Sequence, residues 1–138
     1  MTTLRIGIAS YEEFKERTMA IARGDLKPPA GSPKVWFTSM ESFAKVLSDK
    51  NRALLALIAE TKPTSMNELA ARSGRALSNL SRTLRTMERY GLVRFEKGAG
   101  RTKAPRVVYS DVVLDVPLRP TKAPTAARQR KPENRALI

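Results

Sequence analysis

The stretch that most constrains the fold covers residues 71–95, ARSGRALSNLSRTLRTMERYGLVRF. Its apolar residues recur at i, i+3, i+7 and i+10, which places them on one face of an α-helix. These residues are Leu77, Leu80, Leu84 and Met87. The helical pattern stops at Gly91, which suits the left-handed backbone position after a helix, and the next apolar residues alternate with charged ones. The stretch therefore predicts a helix over 77–90 and then a β-hairpin over 92–110.

Helix starts upstream are marked by a Ser or Thr followed three residues later by Glu, the pattern of a capping box. The first predicted helix extends to about Arg23, and a helix over 48–61 has a wide apolar stripe until Pro63 stops it. The last box opens a short helix over 65–73, which ends at Gly74. The three boxes are Ser10 with Glu13, Thr38 with Glu41, and Ser65 with Glu68.

Short strands are indicated at both ends of this helical region. Leu4, Ile6 and Ile8 alternate with other residues near the start, and KVWF is a short extended piece. After the helices, KGAGRTKAP is a flexible hairpin loop, RVVYS its returning strand and DVVLDV a further strand. The sequence thus predicts a mainly α protein with a small β component, in the α+β class.

Composition divides the chain into three parts. Residues 24–33 form a linker by composition, so residues 1–34 are an N-terminal strand–helix appendage with its linker and a candidate dimerisation element. Residues 35–116 form the main domain. Residues 117–138 contain four prolines, little apolar content and much charge, and we expect a disordered basic tail there.

The composition excludes most enzyme classes. The chain has 138 residues with neither Cys nor His, which removes disulfides, thiolate nucleophiles and the commonest metal ligand and general base. We therefore expect no enzyme activity, no metal site and no cofactor. No apolar run approaches the ~20 residues of a membrane span and no signal peptide opens the chain, so we expect a cytoplasmic, nucleoid-associated protein without a membrane partner.

Positive charge is concentrated in one module and one tail. The net charge is +13 overall; residues 1–60 have a net of +2, residues 72–106 of +8 and residues 119–138 of +5. A field of this strength attracts a polyanion, and nucleic acid is the favoured partner.

The order of helix, short helix, Gly turn, longer helix and hairpin is the plan of a winged helix-turn-helix. In that plan the longer helix, here 77–90, enters a B-DNA major groove, which is about 12 Å wide, and the wing, here 94–108, lies on the backbone or in the minor groove. Arg donates two hydrogen bonds to guanine, Asn pairs with adenine, and Ser hydroxyls and the helix N-terminus bind phosphate. The candidate DNA-binding residues are Arg75, Ser78, Asn79, Ser81, Arg82, Arg85, Lys97, Arg101 and Lys103.

Residues 67–95 resemble the winged helix-turn-helix regulators of the MarR-like group. The run SR-x-L-x-x-M-E-x-x-G-L-V, from Ser81 to Val93, is the recurring end of their recognition helix and start of their wing. With VWFTSMESFAKVL added, residues 35–116 are similar to a small family of predicted DNA-binding proteins encoded beside predicted toxins. This resemblance implies an antitoxin that represses its own operon, with a cognate toxin protein as partner. It also implies DNA contact by Ser78, Asn79, Ser81, Arg82 and Arg85, with Arg101 and Lys103 serving the wing.

Each candidate residue also has an ordinary structural interpretation. Arg82 is a base reader, a solvated surface residue or a salt-bridge partner, and Asn79 can satisfy local amides near a helix start. Arg85 and Arg89 either pair with Glu88 or neutralise phosphate. The wing cations have the alternative of a charged loop that keeps the protein soluble.

The aromatic pair and the basic tail also have both a functional and a structural interpretation. Trp36 and Phe37 form the only adjacent aromatic pair, and we expect them to pack in the core or a dimer interface rather than stack on a base. The tail's basic residues form a DNA-gripping arm, a partner-binding segment or a solvated tail; they include Arg128, Arg130 and Lys131.

The leading hypothesis is a sequence-specific repressor of double-stranded DNA that reads a palindrome as a homodimer, since one recognition helix covers few base pairs. The alternative is a winged-helix module for protein interaction, or for generic nucleic-acid or RNA binding, without sequence-specific repression.

Overall fold

The computed structural model describes residues 2–28, 30–98 and 100–118. Within these residues it has five helices and five strands in two small sheets, so the mixed α+β composition predicted from the sequence is confirmed. The strands are β1 (Thr2–Ile8), β2 (Val35–Phe37), β3 (Val93–Lys97), β4 (Lys103–Val107) and β5 (Tyr109–Asp115). The helices are α1 (Tyr11–Ala22), α2 (Met40–Val46), α3 (Asp49–Thr61), α4 (Met66–Ser73) and α5 (Leu77–Arg89).

The chain divides into two compact units. Within the described residues, the helical unit joins residues 2–4 to Met40–Val113, and the strand–helix unit contains Arg5–Ser39 and residues 114–118. The three-stranded sheet has the order β2-β1-β5. The boundaries predicted at residues 34 and 116 stay a prediction, and most of the predicted tail, residues 119–138, lies outside the described residues.

The strand–helix unit is built on a parallel pair of strands. β1 and β2 pair in a register that sets Ile6 beside Val35 and Gly7 beside Trp36. Ile6 and Phe37 are fully buried, because alternate positions of these strands face the interior. The Trp36 ring lies on Gly7, so both aromatic residues of the pair serve packing, as expected.

Local hydrogen bonds explain where the helices begin. The Glu13 amide donates to the Ser10 hydroxyl at 3.1 Å and the Ser10 amide donates to the Glu13 carboxylate at 2.9 Å, so the first predicted capping box is complete. Ser48 caps α3 in the simpler way, by accepting from the amide of Asn51.

The capping box predicted at Ser65 is only half formed. The Ser65 hydroxyl accepts from the Glu68 amide at 3.0 Å, but the Glu68 carboxylate accepts from the amide and the hydroxyl of Thr64 rather than from Ser65. These two bonds, followed by that from Arg72, hold the pKa of Glu68 below its ordinary value. The Glu68 carboxylate bonds to Thr64 in place of the Ser65 amide because Thr64 offers two donors to one carboxylate oxygen.

The core of the helical unit is the inner side of α5 packed on its neighbours. α5 contacts α2, α4 and β3, while α3 contacts α4 and β4. Gly74 and Gly91, at the ends of α4 and α5, have φ of +74° and +79°, the left-handed values expected after a helix. The residues with at most 3% exposure include Leu54, Ile58, Leu69, Leu80, Leu84, Met87, Leu92 and Val93.

The hairpin of β3 and β4 has a shorter loop than the sequence indicated. The antiparallel register joins Val93 to Val107 and Lys97 to Lys103. The flexible loop predicted up to Pro105 was therefore wrong at its C-terminal end, because Ala104 and Pro105 are buried and belong to β4. The strand predicted at RVVYS likewise ends at Val107, and Tyr109 already begins β5.

The described residues contain no helix that is both long enough and apolar enough to cross a membrane. The cytoplasmic location stays a prediction.

Candidate nucleic-acid interface

α5 has a buried apolar side and a polar side that faces solvent. Leu80, Leu84 and Met87 have no exposed surface, as the helical spacing predicted, but the prediction was wrong for Leu77, which lies at the first position of the helix and is 44% exposed. On the other side Ser78 and Asn79 are exposed in the first turn, and Arg82 and Arg85 are exposed further along, whereas Ser81 is half-buried. Four of the predicted site residues therefore lie together on the solvent side of one helix.

The N-terminus of α5 has no side-chain cap. Ala76 occupies the N-cap position and makes no side-chain hydrogen bond, and no acidic residue lies in the first turn. α1, α3 and α4 differ, because each has a Ser cap and an acidic residue there. The first amides of α5 thus keep both their hydrogen-bonding capacity and the positive end of the helix dipole.

Arg82 and Arg85 differ from most other arginines of the helical unit in having no partner. Within the described residues, neither side chain forms a hydrogen bond or an ion pair with the protein. The predicted alternative of a pair with Glu88 is not observed for Arg85, and Arg89 contacts Thr86 instead, at 3.4 Å. Two guanidinium groups on one helix face are therefore available to an external acceptor.

Arg75 is placed differently from the other candidates. Its two terminal nitrogens donate to the side-chain oxygen of Asn51 at 3.1 Å and to the backbone carbonyl of Lys50 at 2.9 Å. Both acceptors lie in α3, so the guanidinium ties the turn before α5 to α3. Its observed contacts are structural, and its predicted role in DNA contact stays a prediction.

Asn51 is a residue that sequence reasoning missed. Its side-chain amide donates to the carbonyls of Lys45 and Val46 at the end of α2, while its oxygen accepts from Arg75. One side chain thus connects α2, α3 and the turn before α5. No sequence pattern signalled this role, because the partners of Asn51 lie in α2 and in the turn before α5, whereas the local pattern shows only its place in the first turn of α3.

The hairpin presents its cations at the tip. Lys97 and Lys103 are exposed and directly opposite each other across β3 and β4, and Arg101 is exposed in the loop between them. Like charges at directly opposite positions destabilise a strand pair, so an anion bound here would relieve their repulsion. The three cations line a groove of about 580 Å³, which the acids Glu88 and Glu96 also line.

The hairpin is held to the rest of the helical unit by Arg106, a second residue that sequence reasoning missed. Its guanidinium donates to the carbonyl of Pro63 at 2.8 Å, in the loop between α3 and α4. It also pairs with Glu96 at 3.5 Å, and Arg94 pairs with the same carboxylate at 2.9 Å. Glu96 is therefore neutralised locally, which leaves the tip cations as the dominant charge of the groove.

The described residues contain no cluster of three or more His, Cys, Asp or Glu able to hold a metal ion. The arrangement of exposed, unpartnered cations and free amides suits an extended anion rather than a small reacting group.

The model of the HVO_A0114 family matches residues 46–114, which is half of the chain. No curated protein and no solved structure matches the chain.

Proposed function

The chain belongs to the HVO_A0114 family, and from its geometry we propose that it is a winged helix-turn-helix protein that regulates transcription by binding specific double-stranded DNA. α5 is the recognition helix in this proposal and the β3–β4 hairpin is the wing. The observation that carries the proposal is the pair Arg82 and Arg85, exposed and unpartnered on a helix whose opposite side is the core.

Several features support the placement of α5 in a major groove. Asn79 and Arg82 are the two side-chain types that read adenine and guanine edges bidentately, and both are exposed. The uncapped first turn of α5 offers amides to a phosphate, which would fix the position of the helix on the duplex. The cations of the hairpin tip would bind a second stretch of backbone.

Two copies would read a palindrome in this proposal, since one recognition helix contacts only a few base pairs. The homodimer and the repressor role are part of the proposal. The antitoxin role and the cognate toxin stay predictions of the resemblance.

The test begins with a footprint of the protein on DNA upstream of its own gene, followed by affinity measurements on the protected site. Arg82→Ala should weaken binding by roughly 1–3 kcal/mol, about 5- to 150-fold, and relax the preference at one base position. Arg72→Ala is the matched control, because Arg72 is an exposed Arg that is already paired with Glu68 at 3.0 Å. It should cause a smaller loss that is equal for all sequences.

The same measurements distinguish a sequence-specific repressor from the alternative, a module for generic nucleic-acid binding or protein interaction. A specific repressor keeps a large ratio between its site and a scrambled duplex as salt rises, whereas a generic binder loses affinity for both together. An unchanged affinity of Arg82→Ala for the protected site would show that α5 is not the reading element.

A further inference from the structure

The hairpin of β3 and β4 touches the loop between α3 and α4 at two places. Near the base of the hairpin, the guanidinium of Arg106 donates to the carbonyl of Pro63 at 2.8 Å. At the tip, Gly98 lies so close to the same loop that a Cβ atom there would be 2.7 Å from the carbonyl oxygen of Thr64. A single contact would leave the hairpin a pivot, whereas two contacts, one near each end, fix its direction.

Arg106 is distinguished from the arginine directly opposite it in the hairpin. Arg94 pairs with Glu96 within its own strand and its side chain is 61% exposed. Arg106 pairs with the same carboxylate, but its side chain is only 21% exposed and also reaches the α3–α4 loop. A hydrogen bond from a charged donor that is largely shielded from water is stronger than an exposed ion pair. Arg106 is therefore the arginine that connects the hairpin to the helices.

The α3–α4 loop is itself firmly attached to the helices. Pro63 is fully buried. The amide and the hydroxyl of Thr64 donate to the Glu68 carboxylate in α4, at 3.2 Å and 2.7 Å. α4 in turn packs against α5. The contacts thus run without a break from the hairpin through the loop and α4 to the helix that carries the exposed arginines.

We propose that Arg106 is a positioning residue for DNA binding: it holds the cations of the hairpin tip at a fixed distance from the exposed side of α5. The tip cations are Lys97, Arg101 and Lys103. Both surfaces then meet one duplex at the same time, and the tip contacts phosphates at a constant offset from the base pairs that α5 reads. Holding a binding loop in its bound position lowers the entropy lost on association. The inference rests on the proposed function, but Arg106 does not itself contact DNA.

The first experiment compares the salt dependence of affinity for the protected site in two matched variants. Arg106→Gln and Arg94→Gln each remove one positive charge from the hairpin, and each leaves Glu96 paired with the other arginine. Only the first removes the bond to Pro63. Each phosphate contact contributes about 0.9 to the slope of log affinity against log salt, so loss of three tip contacts lowers its magnitude by up to about 3 in Arg106→Gln. Arg94→Gln should leave the slope nearly unchanged, and equal slopes in the two variants would overturn the inference.

Phosphate ethylation interference shows which contacts are lost. The wild-type chain should be sensitive to ethylation at two groups of phosphates, one beside the base pairs read by α5 and one under the hairpin tip. Arg106→Gln should lose the second group and keep the first, whereas a variant that is merely unfolded loses both. Adding Lys103→Ala should lower the slope by about 0.9 in the wild type and by almost nothing in Arg106→Gln, because the lysine is no longer held at its phosphate.

Gly98→Ala tests the second contact without any change of charge. The added methyl group would meet the Thr64 carbonyl oxygen at 2.7 Å and the Thr102 hydroxyl at 2.4 Å, so the tip must move away from the loop. This variant should also lose sensitivity at the phosphates under the tip while keeping those beside α5. Retention of both groups would show that the tip does not depend on its contact with the loop.

The position of the hairpin is measurable in the free protein. The chain has no Cys, so Asn67→Cys in α4 and Arg101→Cys in the tip, both exposed sites, accept one pair of spin labels. The distance between the labels should have a narrow distribution in the otherwise wild-type chain and with Arg94→Gln, and a broad one with Arg106→Gln. An unchanged distribution with Arg106→Gln overturns the positioning role alone, whereas a wild-type chain that protects no DNA site overturns the proposed function.

Discussion

Individual residues of the same type have different environments in this protein, and their environment decides their role. In the part of the chain that the structure describes, Arg82 and Arg85 have no partner, whereas Arg75 and Arg106 donate to backbone carbonyls elsewhere in the helical unit. The sequence predicted the first two correctly as solvent-exposed, because helical spacing fixes which side of α5 they occupy. The contacts of Arg75 and Arg106 were not predictable from the sequence, because their acceptors lie 25 and 43 residues away along the chain.

Replacement of Arg75 by Ala should lower stability by about 1 kcal/mol, because two partly exposed hydrogen bonds to α3 are lost. Thermal and denaturant unfolding measure this directly. Arg75→Lys should recover little, since a single ammonium group cannot reach both acceptors as the planar guanidinium does. Arg85→Ala removes the same charge from an unpartnered site and should leave stability unchanged; an equal loss in both variants would contradict the assigned role of Arg75.

Gly7 has no room for a side chain. A Cβ atom there would lie 2.4 Å from the Trp36 ring, which also contacts Arg17 and Phe14. Gly7→Ala should therefore displace the ring and cost about 1–3 kcal/mol. Trp36 is the only Trp of the chain, so its fluorescence reports the displacement. If the clash with the ring is the cause, adding Gly7→Ala to a Trp36→Val variant should leave the free energy of unfolding almost unchanged.

At the scale of elements, the helices were predictable and the hairpin only in part. Ser caps, left-handed Gly positions and apolar spacing are local signals, so the predicted bounds of α3, α4 and α5 differ from the observed ones by a single residue. The end of the hairpin loop depends on burial of Ala104 and Pro105, which is a tertiary effect that no local signal encodes.

Among the candidate residues, the outward position of Ser78, Asn79, Arg82 and Arg85 followed from the sequence, since it needs only the period of one helix. The opposition of Lys97 and Lys103 did not, because it requires the register of two strands. Sequence reasoning therefore located the charged surface but not the contacts that hold it together.

Lys103→Glu should move stability and DNA affinity in opposite directions. Opposite charges across β3 and β4 would replace a repulsion, so the free energy of unfolding should rise by about 0.5–1 kcal/mol at low salt. The same change reverses a charge at the proposed wing, and affinity for any duplex should fall by about tenfold or more. Urea unfolding and duplex titration of one preparation measure both effects.

A control for this prediction is Lys27→Glu, which reverses an exposed charge that lies outside any helix or strand and has no cationic partner across a strand. It should not reproduce the gain in stability. Equal gains in both variants would show that the effect comes from the net charge of the chain and not from the paired lysines.

At the scale of the whole molecule, charge is distributed by segment. Residues 72–106 carry a net of +8 and lie in the helical unit, while residues 119–138 carry a net of +5 from six basic residues and one acid. Each phosphate neutralised by the protein contributes about −0.9 to the slope of log affinity against log salt. If the terminal segment binds DNA, deleting the chain after Leu118 should reduce the magnitude of the slope by up to about 5 while the preference for the specific site stays unchanged.

An unchanged slope would assign all phosphate contact to the helical unit and leave the terminal segment free for another partner. A loss of specificity at constant slope would instead place base contacts in that segment, and α5 would no longer suffice as the reading element.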